Sequence, residues 1–269
     1  MAKTSLDDAR YDHIGKSYDT TRKADPYLAD RMYRLLKNEV DDAQYLDIGC
    51  GSGNYTNELH LKGLKFIGID PSQEMLSKAK VKNREIHWRK GKVENIELDD
   101  NSIEGVLVSR TMHHWDNLYR GFQEIARVLK PGARVVIFTT FPDQTDAYWL
   151  KHYFPLMIQD SIAILPSKDE MLQAFDLAKI ELLEQEPYFV QRGLQDLFLY
   201  SGKYNPEMYF NEKFRRGVSS FSLIAHQNEI DSGLSQLRAD IDSGHFRKIA
   251  DQHKNDLGDY MFLVGRKNA

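Results

Sequence analysis

The chain has 269 residues, a net charge of -4, 41% hydrophobic and 28% charged residues, and one cysteine, Cys50, which describes a globular protein of one large domain, or one domain with a sizeable insertion. The acidic balance argues against nucleic acid as the main partner, since phosphate binding needs a basic field, and a lone cysteine excludes an intramolecular disulfide or a zinc site built on several thiolates. With no run of 18 apolar residues and an acidic start at Met1–Asp8 that lacks the apolar stretch of a signal peptide, no membrane span is expected and a cytoplasmic location is the default.

In chain order, Tyr11 and Tyr18 read as interface aromatics with a polar tip. Asp25 followed by Pro26 is an N-cap with proline at the first helical position. The helix is predicted to run to about Leu36, with Leu28, Met32, Leu35 and Leu36 on one face. From Tyr45 to Asn54 the chain is a short apolar run ending in an acid and three alternating glycines, followed by a helical pattern from about Tyr55 to Leu61. This reads as strand, tight loop and helix start. Glycines here remove Cβ atoms between ligand and backbone and allow positive φ. Asp47 sits at the carboxyl end of the strand, where open α/β sheets bind ligands, and suits a cationic group. A dinucleotide fingerprint would need G-x-G-x-x-G, whereas Gly49, Gly51 and Gly53 are spaced G-x-G-x-G. A pyrophosphate would gain little from an acid so near a helix N-terminus.

The stretch Leu46-Asp47-Ile48-Gly49-Cys50-Gly51-Ser52-Gly53 closely resembles the first motif of the class I S-adenosylmethionine-dependent methyltransferases, type 11 or UbiE-like, in their small-molecule branch. The resemblance implies that Asp47, Gly49, Cys50 and Gly51 lie beneath the methionine half of the cofactor. It also implies that residues 10–37, with the pattern Y-D-x-x-x-x-x-Y-D-x-x-R, fold over the site as a lid. Tyr18 and Arg22 would then reach the cofactor, Arg22 as guanidinium partner of its carboxylate.

A second strand, Lys65 to Ile69, ends at Asp70, which can accept from both ribose hydroxyls and so identifies a nucleoside without saying which. By resemblance to the pattern D-x-S-x-x-M-L, Pro71 joins the site and Met75 packs on the adenine. In the third unit, Glu85 to Trp88 and then Gly91 to Ile96, relatives often carry an aspartate where this chain has Lys92, and lysine cannot accept a hydrogen bond. Adenine is then expected on backbone groups near Lys92 and Val93, with Glu94 at a position that is usually structural. A buried strand from Gly105 to Val108 leads to a loop at the same crevice. Ser109 and Arg110 are expected to line the cofactor, with His113 or His114 facing it or the substrate. As bases, His113, His114, Tyr11 and His226 are the candidates; a pocket-shaping role competes for either loop histidine.

A helix from Leu118 to Leu129 and a strand through Phe138 follow, with Lys130-Pro131-Gly132 as the helix stop. Strand and helix units in series predict a parallel sheet with right-handed crossovers. The resemblance completes it as a Rossmann-like seven-stranded α/β sheet whose last strand, Tyr260 to Arg266, is antiparallel. Residues 45–141 form the expected cofactor-binding core. Tyr148 to Met157 looks like an aromatic cap helix, Ser167 to Ala178 a capped helix, and Lys179 to Val190 a strand. Residues 142–166 and 191–255 are the expected cap and substrate insertions of one domain spanning 1–269.

The function implied is transfer of a methyl group from S-adenosyl-L-methionine to a small molecule by in-line displacement, releasing S-adenosyl-L-homocysteine, with no metal and with a monomer or homodimer as the assembly. Methylation of protein or RNA, and a non-catalytic cofactor- or partner-binding protein, are the alternatives. A nicotinamide oxidoreductase ranks behind them because of the glycine spacing.

Overall fold

A computed structural model of the chain describes residues 21–268. Tyr11 and Tyr18, in the 10–20 part of the expected lid, lie outside the described residues. Seven strands form one sheet: β1 Gln44–Ile48, β2 Lys65–Asp70, β3 His87–Lys90, β4 Ile103–Ser109, β5 Leu129–Thr139, β6 Ile180–Tyr188 and β7 Tyr260–Lys267. Their order is β3-β2-β1-β4-β5-β7-β6. The first five are parallel, and β7 runs antiparallel between β5 and β6. The order reverses between β1 and β4, which opens a crevice at their carboxyl ends.

Alternation along the strands builds a core on each face. Tyr45 and Phe66 pack with Leu28, Met32 and Leu36 of α1 (Pro26–Leu36). Leu46, Ile48, Ile67 and Ile69 pack with Phe122 and Ile125 of α4 (Leu118–Val128) on the other face. Between them come α2 (Asn54–Leu61) after β1 and α3 (Gln73–Lys82) after β2. Asp25 caps α1 by accepting from the N–H groups of Tyr27 and Leu28 at 3.0 and 3.2 Å, and Ser72 caps α3 through the Met75 N–H.

Two local expectations are corrected. The helix stop at Lys130-Pro131-Gly132 is not a connecting turn: α4 ends at Val128, β5 begins at once, and these residues form a bulge. Leu129 pairs with Ile103 but Arg134 with Gly105, so β5 holds extra residues there, with Gly132 at φ +80°. The single cap helix from Tyr148 to Met157 is instead split, with α5 (Pro142–Asp146), α6 (Leu150–Tyr153) and α7 (Pro155–Ala163) in succession. Phe154 at φ -133°, ψ 61° breaks α6 from α7, as the residue before a proline is driven out of the helical region. Trp149 and Tyr153 are each 2% exposed, and Trp149 meets Tyr153, Tyr209 and Phe246 edge-on, so their aromatic area is spent on the core.

After α8 (Lys168–Leu177), whose Ser167–Glu170 capping box forms as expected, and β6, the chain returns across the crevice. It then builds α9 (Glu212–Arg216), a π-turn Ser220–Ile224, α10 (Gln227–Asp242) and α11 (Phe246–Gln252) before β7.

Candidate active site

The glycine loop after β1 is held from two directions. Gly49 and Cys50 donate to the Ile69 carbonyl at 2.8 and 3.1 Å, and Gly51 donates to Asp70 Oδ2 at 2.8 Å. The other Asp70 oxygen accepts from the Ser72 N–H at 2.9 Å. One carboxylate therefore fixes both the loop after β1 and the turn after β2. Gly49 has φ +67°, and a Cβ there would lie 2.2 Å from Thr111 Oγ1; Gly51 has φ +55°, and a Cβ there would meet no atom within 4 Å. The first glycine is required by close packing, whereas the second leaves its backbone open to the crevice.

A cavity of about 770 Å³ occupies this crevice. Its lining includes Gly49, Gly51, Asp70, Pro71, Met75, Lys92, Val93, Glu94, Ser109, Arg110, His113 and His114, together with Arg22. Most of the sequence-derived candidates among the described residues thus share one surface. Asp47 and Cys50 do not line it. Asp47 is 3% exposed beneath the loop, where Thr56 Oγ1 donates to it at 2.6 Å. The Cys50 sulfur faces Gly68 of β2, and burial, with the Asp70 and Asp47 charges, pushes its thiol well up. Both residues support the loop from below.

Burial pushes Asp47 up to about 7, opposed by the Thr56 hydroxyl and reinforced by the Asp70 charge. A carboxyl raised in the folded state holds a proton that the unfolded chain has released, so its contribution to stability is complete below about pH 4 and is lost as pH rises to about 7. In the ligand-free protein, Asp47→Asn is therefore expected to leave the urea midpoint unchanged near pH 4 and to raise it at pH 8. The gain is about 4 kcal/mol, about three pH units at about 1.4 kcal/mol each. An equal midpoint difference at both values would refute it.

Where relatives carry an aspartate, Lys92 Nζ lies 3.0 Å from Asp116 Oδ2, and Asp116 also lines the cavity. His113 and His114 sit in one 3-10 turn, Met112–His114, with ring centroids 3.8 Å apart. His226 lines the cavity at the start of α10.

Sequence reasoning missed Asp196. This carboxylate, 2% exposed, accepts from Arg22 Nε at 2.6 Å, from Arg110 Nη2 at 2.5 Å and from the Tyr55 hydroxyl at 3.1 Å. Burial works to raise it, but the Arg110 and Arg22 guanidiniums outweigh burial and hold it below the usual carboxylate range. Arg110 itself has φ +52° and lies over the Phe198 ring at 4.6 Å. The 195–197 strap is tied to the approach to α1 by Gln195 N–H to Asp25 Oδ2 at 3.0 Å and Leu197 N–H to the Thr21 carbonyl at 3.1 Å. Contacts across so much sequence leave no local signal.

The parallel sheet, its switch-point crevice and an acid at the end of β2 define a nucleoside-binding α/β protein. A family model described as a methyltransferase domain matches residues 46–137. A crystal structure at 2.40 Å of a proposed methyltransferase from an antibiotic biosynthesis pathway of Anabaena variabilis ATCC 29413 is 31% identical, with a TM-score of 0.80, and the match covers 91% of this chain and 98% of that one. An uncharacterized methyltransferase of Mycobacterium tuberculosis H37Rv is 30% identical over 154 residues, 56% of this chain and 61% of the relative. The demethylmenaquinone methyltransferase of Corynebacterium glutamicum strain R is 30% identical over 147 residues, 51% of this chain and 63% of the relative. The chain thus spans roughly three fifths of these curated relatives. It belongs to the class I S-adenosylmethionine-dependent methyltransferases.

The residues present fit that cofactor. Gly51 leaves room for a ligand against the backbone. Asp70 lines the cavity at the position suited to a ribose diol. The Ser109 hydroxyl and Arg110 Nε are buried without a partner in residues that line the same cavity, and such orphan groups call for a polar ligand.

Proposed function

We propose that this chain transfers a methyl group from S-adenosylmethionine to a small-molecule acceptor inside the cavity. The observation that carries the reading is that one cavity runs from the glycine loop and Asp70 past the ends of β4 and β5 to Tyr260 of β7, beneath residues of α7 and the π-turn. Such a covered chamber suits a small acceptor better than a protein or RNA surface. Residues 142–166 and 191–255 supply the cap in this reading, and 45–141 the cofactor half.

When bound, the cofactor supplies an electrophilic methyl on a sulfonium. Asp70 would hold the ribose, Arg22 and Arg110 would hold the carboxylate end, and Asp116 would supply the carboxylate acceptor that Lys92 cannot be. Met75, at 2% exposure, gives an apolar face. Holding the acceptor in line and excluding water are the chain's main contributions. The His113–His114 pair takes the proton of a hydroxyl acceptor.

The test is incubation of the protein with methyl-labelled S-adenosylmethionine and an extract of the source cell, followed by separation of metabolites, protein and RNA. Label in the metabolite fraction is expected, slowed about a hundredfold in a His113→Gln/His114→Gln variant that still binds the cofactor. Label in protein or RNA would overturn the reading.

A further inference from the structure

The cavity continues beyond β4, on the side away from β1 and β2, to Thr139 at the end of β5, Thr140 just after it and Tyr260 of β7. Its walls there come from α7 and the π-turn. Ile164, Leu165, Leu223 and Ile224 give it an apolar surface. The buried polar groups here are Thr139 and Thr145 and, joining the two walls, Ser161 Oγ of α7 and Ser220 Oγ of the π-turn, 3.1 Å apart and 6% and 8% exposed by residue. Two hydroxyls bonded to each other use one hydrogen, so the pair keeps one hydrogen to donate and lone pairs to accept.

Charge is the other constraint. The cationic side chains of the lining are Arg22, Arg110 and Lys92. The first two share Asp196 and the third pairs with Asp116, and all three belong to the cofactor half. Among the described residues the α7 side of the lining carries no lysine or arginine; its acidic and basic side chains are Asp160 and, at the start of α10, His226. An anionic acceptor would lose its hydration there with no lysine or arginine among the described residues to meet it and with the Asp160 carboxylate at the wall, which is unfavourable.

We propose that the acceptor is an uncharged molecule with an apolar body and a hydroxyl or carbonyl group that hydrogen-bonds the Ser161–Ser220 pair, and that the chamber rejects carboxylates and phosphates. This rests on the small-molecule reading above. It assigns Ser161 and Ser220 as specificity residues, joined across two segments that the sequence separates.

The experiment is fluorescence titration of the full-length protein with 2-naphthalenemethanol and with 2-naphthoate at pH 7.5, in the presence and absence of saturating S-adenosylhomocysteine. The alcohol is expected to bind at least about tenfold more tightly than the carboxylate. A Ser161→Ala/Ser220→Ala variant should weaken the alcohol about fivefold while leaving 2-methylnaphthalene unchanged. Ser219→Lys, a half-buried lining position, should narrow the preference against naphthoate about tenfold. Equal binding of alcohol and carboxylate by the wild-type protein would overturn the inference, as would alcohol affinity indifferent to the serine pair. Calorimetry with S-adenosylhomocysteine alone separates this failure from failure of the methyltransferase reading.

Discussion

Asp70→Ala is expected to lower the affinity for S-adenosylhomocysteine by about 10²–10⁴-fold. Two effects combine. A carboxylate facing a ribose diol makes charge-assisted hydrogen bonds of about 1.5–3 kcal/mol each, and both are lost. The same group also accepts from Gly51 and Ser72, so alanine leaves two backbone donors unsatisfied and frees the glycine loop that shapes the methionine half. Asp70→Asn should lose less, because one carbonyl oxygen can still accept. Calorimetric titration of the three proteins checks the order; an Asp70→Ala affinity within about threefold of wild type would mean that the nucleoside lies elsewhere.

Asp196→Ala has the largest expected effect on stability. Its carboxylate is shared by Arg22 and Arg110, whose side chains are 12% and 15% exposed, and by the Tyr55 hydroxyl. Removing one partner from a buried charge cluster leaves the remaining charges uncompensated, at a cost of about 3–5 kcal/mol. Since the folded-state carboxyl is held below its unfolded value, its contribution is fully present above about pH 4 and disappears as pH falls further. Urea melts of the wild type and variant should differ by the full amount at pH 7, and the difference should shrink as pH falls below about 4. A constant difference across that range would show that the carboxylate's charge contributes nothing. The variant should also bind S-adenosylhomocysteine more weakly, since the same carboxylate orients Arg22 and Arg110, which line the cavity.

These two acids also mark what the sequence reveals and what it conceals. Asp70 is legible because its surroundings are local: an apolar strand ends in an acid, and a capped helix follows within a few residues. The glycine loop is legible for the same reason, and so is the parallel order, whereas the antiparallel last strand follows only from the family resemblance. Asp196 is not, since its partners lie 174, 86 and 141 positions away and its own stretch has no period. The directions of Asp47 and Cys50 were equally hidden. Both precede or sit within the loop, and only the packed structure shows Asp47 beneath it on Thr56 and Cys50 against β2. The cap is not a single helix because Phe154, the residue before Pro155, leaves the helical region. The acceptor wall is partly visible in the sequence through His226, but Ser161 pairs with Ser220 across 59 positions.

The central claim is that the crevice holds the adenosyl and methionine parts of one cofactor. The most direct measurement is calorimetric titration of the wild-type chain with S-adenosylhomocysteine and, separately, with NADH. Saturable one-site binding of S-adenosylhomocysteine with none of NADH is the predicted result, since the G-x-G-x-G loop lacks the third glycine of the dinucleotide fingerprint. Binding of NADH, or of neither, would contradict it.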